Sequence, residues 1–192
     1  MTNTLTRTSR QLTRALSRQT VTLATSLAAG WSAFVVNALM GGALLRFGIV
    51  PRTVDGLVGI VAAPFLHANV QHLLANTASF LLFGWLVMLR DRRHFGVVTI
   101  MGLLGSGLLS WTLGAPGSVH IGASGVIFGY FGFLLLAGWF ARSWSAIAIS
   151  VLVAAVWGGT LLGVLPGTAG VSWQGHLGGF LGGVLAARWF RR

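Results

Sequence analysis

Long uncharged runs, each about as long as a bilayer core is thick, alternate along this chain with short breaks that carry arginine. A helix needs about 20 apolar residues to cross the hydrocarbon core. Six such stretches can be drawn, at about 23–45, 68–89, 95–113, 122–140, 144–163 and 174–190. Only 8% of the 192 residues are charged, against about 25% in a soluble domain. The expected fold is therefore an all-α membrane protein, a six-helix bundle over residues 21–192 behind a basic tail at 1–20. The connection from Arg46 to Leu66 is less apolar and holds Pro51, Pro64, Arg52 and Asp55. It reads as an interfacial or re-entrant loop between spans 1 and 2, with Asp55 solvated or paired to Arg46 or Arg52.

All 13 cations are arginine, and the acids are Asp55 and Asp91. A net charge of +11 raises the question of nucleic acid, but arginines placed between apolar runs and at the termini fit membrane topology and anionic lipid instead. No nucleic-acid partner is expected. With both termini on one side, that side collects eleven arginines, against Arg46 and Arg52 on the other. By the positive-inside rule both termini are cytoplasmic, and spans 2, 4 and 6 begin at the outer face. Within the tail, Arg7, Arg10, Arg14 and Arg18 fall on one helical face. A transit peptide has that composition; a short cytoplasmic tail explains it more simply. With no cysteine in the chain, thiol catalysis and disulfides are excluded.

Polar side chains inside spans are costly and are functional candidates by default. Here they gather at the outer ends of the even spans. Span 2 opens with His67, Asn69, Gln71, His72 and Asn76, span 4 with Ser124, and span 6 with Trp173-Gln174-Gly175-His176. Elimination narrows the chemistry. An aspartyl site needs two carboxylates in the bilayer, and neither aspartate lies in a span. A His-Glu-x-x-His zinc helix needs glutamate, and the chain has none. A triad acid near His176 is missing for the same reason. A serine activated directly by a histidine is left, Ser124 as nucleophile and His176 as base. His72 and Asn76, at i and i+4, share a helix face. With the free backbone N–H groups at the start of span 4, that of Ser124 included, they would hold an oxyanion. Gly122 and Gly125 would let a substrate backbone approach. His176, Gly179 and Gly183 share one face of span 6, and Ser124 and Gly125 lead into Gly129 and Gly132 on span 4. Small faces of this kind let helices pack closely in lipid and would bring His176 to Ser124.

These residues resemble the rhomboid intramembrane serine proteases. The resemblance covers about residues 46–190 and rests on three motifs in order: His67-x4-His72-x3-Asn76, Gly122-x-Ser124-Gly125, and His176-x2-Gly179-x3-Gly183. It implies that Ser124 and His176 form a catalytic dyad. His72 and Asn76 would assist the oxyanion with the Ser124 amide, and His67 would support the site. It further implies cleavage of transmembrane segments of other membrane proteins near the outer surface, with no cofactor and no metal, in a multi-pass protein of a bacterial plasma membrane in contact with lipid. Two positions depart from the family pattern. Pro64-Phe65-Leu66 stands where many members carry a Trp-Arg pair, and Phe128 stands where many have a tyrosine on the base. Two other functions share some of these residues: a catalytically silent relative that binds membrane clients, and a small metal or proton transporter lined by His67, His72, His120 and His176. The transporter lacks the intramembrane carboxylate that proton relays commonly use. His120 reads as a solvated loop residue or a modulator of the site, and His94 as structural. Most of the eight tryptophans fall near span ends, as an aromatic belt would.

Overall fold

The computed structural model describes residues 2–168 and 170–191, with side chains described from residue 13 onward. The Arg7, Arg10 and Arg192 side chains lie outside the described set. Helices α1 (Thr2–Leu39), α3 (Val70–Arg90), α4 (Arg92–Leu113), α5 (Ser124–Ala141), α6 (Trp144–Trp157) and α7 (Trp173–Trp189) make up the bundle. The four-residue α2 (Gly59–Ala62) sits in the long connection. Five segments are long and apolar enough to cross a membrane: Thr13–Leu39, Val70–Arg90, Arg92–Leu113, Ser124–Ala141 and Trp144–Val164. The protein is an integral membrane protein. At 17 residues α7 sits at the short end of the spanning range.

Two boundaries differ from expectation. The first span was placed at 23–45, but α1 runs unbroken through residue 20 and stops at Leu39. Gly41 and Gly42, at φ 63° and 88°, turn the chain into a conformation open mainly to glycine, and a 3-10 turn follows at Ala43–Phe47. The fifth span changes character partway. It is α-helical only to Trp157 and continues as a 3-10 segment, Gly158–Val164. The 46–66 connection is not an open loop. Its turns at Asp55–Leu57, Gly59–Ala62 and Ala63–Phe65 bind the bundle through the backbone. Ile49 and His120 exchange N–H to carbonyl bonds, both 2.9 Å, and Gly122 N–H donates to Ala63 at 2.8 Å. Asp55 is exposed. Among the described residues the ion pair is between Arg93 and Asp91, at 2.7 Å.

Helix α5 lies at the centre, apolar on every face and buried along most of its length, as a helix surrounded by others must be. Glycine seams bring its neighbours against it. A side chain on Gly179 would run into the Gly125 carbonyl, and one on Gly183 into that of Gly129. The α4–α7 contact repeats the device, Gly105 against Gly178 and Gly182 against the Met101 carbonyl. Because lipid is as apolar as a leucine surface, helix association in a bilayer depends on such close packing. Helix α6 combines the same device, Gly138 of α5 against the Ala146 carbonyl, with side-chain hydrogen bonds. Ser150 Oγ donates to the Leu134 carbonyl at 2.8 Å and accepts from Gly138 N–H at 3.2 Å.

The starts of α3 and α4 are fixed by side-chain caps. Asn69 accepts from His72 N–H at 2.8 Å, and Asp91 from Arg93 N–H at 2.8 Å. Arg93 also holds the Asp91 carboxyl below its usual range, at about 2. Of the tryptophans, Trp139, Trp144 and Trp189 are exposed at helix ends, whereas Trp31 donates to Thr77 Oγ1 at 3.2 Å and Trp157 packs on Phe83. His94 packs edge-on to Phe133 and tilted against Phe190, a structural placement.

If the seam carries the fold, Gly179→Ala must drive α5 and α7 apart. It is expected to destabilise the protein by about 1–3 kcal/mol, the usual cost of overpacking, read as a lower unfolding midpoint in detergent. Gly96→Ala, where nothing lies within 4 Å, should leave the midpoint unchanged or raise it.

Candidate active site

The starts of α3, α5 and α7 meet at one end of the bundle around a cleft of about 850 Å³ lined by His72, Asn76, Ser124 and His176. Ser124 is the first residue of α5, and Ala123 before it offers no side-chain cap. The Ser124 amide therefore has no partner within the helix. His176, one turn into α7, points its Nε2 at Ser124 Oγ across 2.8 Å. Its other nitrogen, Nδ1, is 2.9 Å from the Gly163 carbonyl. Phe128, one turn below Ser124, stacks flat on the imidazole, 4.1 Å between centroids and 13° between planes. The contact this phenyl ring makes with the imidazole is face to face.

His72 and Asn76 do share a face, and it looks onto Gly122. A Cβ on Gly122 would lie 2.6 Å from the His72 ring and 3.5 Å from Asn76 Nδ2. Gly122 also sits at φ 106°, so no other residue fits there without strain. Asn76 Nδ2 is buried with no hydrogen-bond partner among the described residues. A donor is thus held free beside the serine. A Cβ on Gly125 would meet the Ser106 hydroxyl, and Gly122 and Gly125 line a small pocket with Ser124 and His176.

His67 is set apart from the cleft. It is 2% exposed, with neither ring nitrogen in a well-formed hydrogen bond, and packs edge-on to His72 at 5.0 Å. Burial first, and the nearby His72 second, push its pKa down to about 4. It supports the His72 ring from behind and lines an apolar cavity of about 380 Å³ toward α1.

His120 is not a solvated loop residue. It is half-buried, with Nδ1 2.6 Å from Ser172 Oγ and Nε2 3.0 Å from Ser118 Oγ, and burial lowers its pKa. Ser172 in turn caps α7, accepting from Gly175 N–H at 3.3 Å, and lies 3.4 Å from Ser110 Oγ. Ser106, Ser110, His120 and Ser172 line a small second pocket against Ser124 and His176. None of these serines stands out in the sequence as Ser124 does. Ser106 and Ser110, at i and i+4 in an apolar span, carried the same signal that marked His72 and Asn76. Ser172, three residues before Gly175, was legible as a helix cap.

The Rhomboid domain model matches residues 54–192. An uncharacterised protein of Mycobacterium tuberculosis (strain H37Rv) is 44% identical over 161 residues, covering 80% of this chain and 67% of its own. A second uncharacterised protein, from Mycobacterium leprae, is 43% identical over 176 residues, covering 87% and 69%. RHOMBOID-like protein 4 of Arabidopsis thaliana is 35% identical over 147 residues, covering 71% of this chain and 35% of that protein. This chain belongs to the rhomboid family.

The His120–Ser172 pair sets where α7 begins. Ser172→Ala removes the cap and should destabilise the protein by about 1 kcal/mol, seen as a lowered unfolding midpoint in detergent. An unchanged midpoint would mean that the cap carries no stability.

Proposed function

We propose that this protein is an intramembrane serine endopeptidase working through a Ser124–His176 dyad. The observation that carries the proposal is the 2.8 Å contact between Ser124 Oγ and His176 Nε2, made at the uncapped start of a central helix. In the first step Ser124 Oγ attacks the scissile carbonyl carbon while its proton passes to Nε2. The carbonyl oxygen becomes an oxyanion, which accepts from the Ser124 amide, from Asn76 Nδ2 and from His72. When the tetrahedral intermediate collapses, the C–N bond breaks and His176 returns the proton to the leaving amine. Water from the cleft then attacks the acyl-enzyme with His176 again as base, releasing the new carboxyl end and restoring Ser124.

Each step uses this chain's own side chains and water. A site walled by helices of a membrane bundle calls for substrates that reach it within the membrane, namely transmembrane segments of other proteins. The arginine distribution supports cleavage near the outer face, with both termini cytoplasmic, and the mycobacterial relatives support a bacterial plasma membrane.

Purified protein is expected to cleave a model single-span substrate, and to do so undiminished in the presence of a chelator, which a metal-dependent activity would not survive. Ser124→Ala should abolish cleavage; wild-type rates would remove Ser124 as nucleophile. A fluorophosphonate should label Ser124 in the wild type but not in His176→Ala, and equal labelling in both would remove His176 as base. Asn76→Ala should slow turnover by about 100-fold, the cost of one oxyanion donor among several.

A further inference from the structure

An imidazole can take a proton on Nε2 only when Nδ1 carries the hydrogen, and free histidine readily adopts the opposite tautomer. In a Ser-His-Asp triad a carboxylate fixes this choice. Here the chain has no glutamate, Asp55 is exposed, and Asp91 caps α4 at the far end of the bundle from the site. The group at Nδ1 is instead the Gly163 carbonyl, 2.9 Å away. A carbonyl oxygen only accepts, so this bond requires the hydrogen on Nδ1 and leaves the Nε2 lone pair for the Ser124 hydroxyl.

We propose that Gly163 is a positioning residue, whose carbonyl, carried on the 3-10 segment after α6, takes the orienting role that an acid has in a triad. The proposal rests on the reading of His176 as base. Two further observations support it. First, the position suits glycine: a Cβ there would lie 2.9 Å from Phe128 Cζ and 3.3 Å from His176 Nδ1. Any side chain would push against both the stacked ring and the base. Second, the segment departs from α-helical geometry over Gly158–Val164, and Gly163, near its end, turns its carbonyl toward α7. Phe128 on the ring face, Ser124 at Nε2 and Gly163 at Nδ1 thus hold the imidazole from three directions. The 3-10 continuation of α6 supplies one of the three, although the span Trp144–Val164 shares little burial with the bundle. Catalytic competence therefore depends on how the end of α6 is seated, independently of contacts with substrate.

The test compares full-length wild type, Gly163→Ala, His176→Ala and the control Gly159→Ala, where nothing lies within 4 Å. Gly163→Ala keeps the carbonyl but crowds Phe128 and Nδ1. It is expected to lower kcat by roughly 10- to 100-fold, less than the ~10⁴-fold loss when a triad's orienting acid is replaced, with KM changed less than twofold. Gly159→Ala should match the wild type. In protein carrying 15N-labelled histidine, with His176 assigned by difference from His176→Ala, the wild type should show the Nδ1–H tautomer at neutral pH. Gly163→Ala should show a mixture. A wild-type kcat in Gly163→Ala would overturn the proposal, and so would an Nε2–H tautomer in the wild type, a result that needs no variant to fold. Undiminished cleavage by His176→Ala would instead remove the base itself, which separates the two failures.

Discussion

The contact on which the rest depends is the close approach of glycine to backbone between α5 and α7. Ser124 and His176 lie on different helices 52 residues apart in sequence, and neither side chain is long. Their 2.8 Å approach requires the helix axes to be nearer than ordinary side chains permit. Gly179 and Gly183 provide this on α7, and the Gly125 and Gly129 carbonyls meet them on α5. In lipid no hydrophobic force draws one apolar helix to another, so dispersion between smooth surfaces does it. The same residues that hold the helices together set the distance between the serine and the histidine.

A second constraint follows from scarcity. A bundle with two acids, both outside its spans, has few ways to orient a buried imidazole. The structure does so with neutral groups: a stacked phenyl ring, a backbone carbonyl and, one step removed, the cap at Ser172 with His120 behind it. Neutral partners avoid the cost of holding a carboxylate in a low-dielectric interior. They also leave the orientation sensitive to backbone position, since a carbonyl cannot turn on its own to follow the ring.

Much of the bundle was legible because lipid imposes a strong code. Helices α3, α4, α5 and α7 fall within a few residues of the ends expected for spans 2 to 4 and 6, and the pairing of Ser124 with His176 follows from polar residues placed where apolar ones are cheaper. What escaped detection depends on geometry that composition does not record. The end of α1 is set by two glycines with positive φ, within a run that continues to look apolar to Leu45. The 3-10 stretch after Trp157 has the same hydropathy as an α-helix, so the placement of the Gly163 carbonyl could not be read. His120 looked solvated because its partner Ser172 is 52 residues away, brought near only by the packing of α7. That His72 and Ser106 are the groups packed beside Gly122 and Gly125 emerges only in three dimensions.

The corner between α3 and α4 has one residue in it. Asp91 ends one helix and caps the next, so the hairpin has no slack, and its two helices keep a fixed register. One added residue in α3 between this corner and His72 would rotate His72 and Asn76 by about 100° around the axis and lift them by about 1.5 Å, carrying the amide of Asn76 off the serine. The connections at 114–123 and 165–172 are longer and can absorb changes in length. Across related chains, insertions and deletions should therefore be tolerated at the end of the bundle that holds the chemistry and be rare at the opposite end, the reverse of the usual association between active sites and invariant chain length.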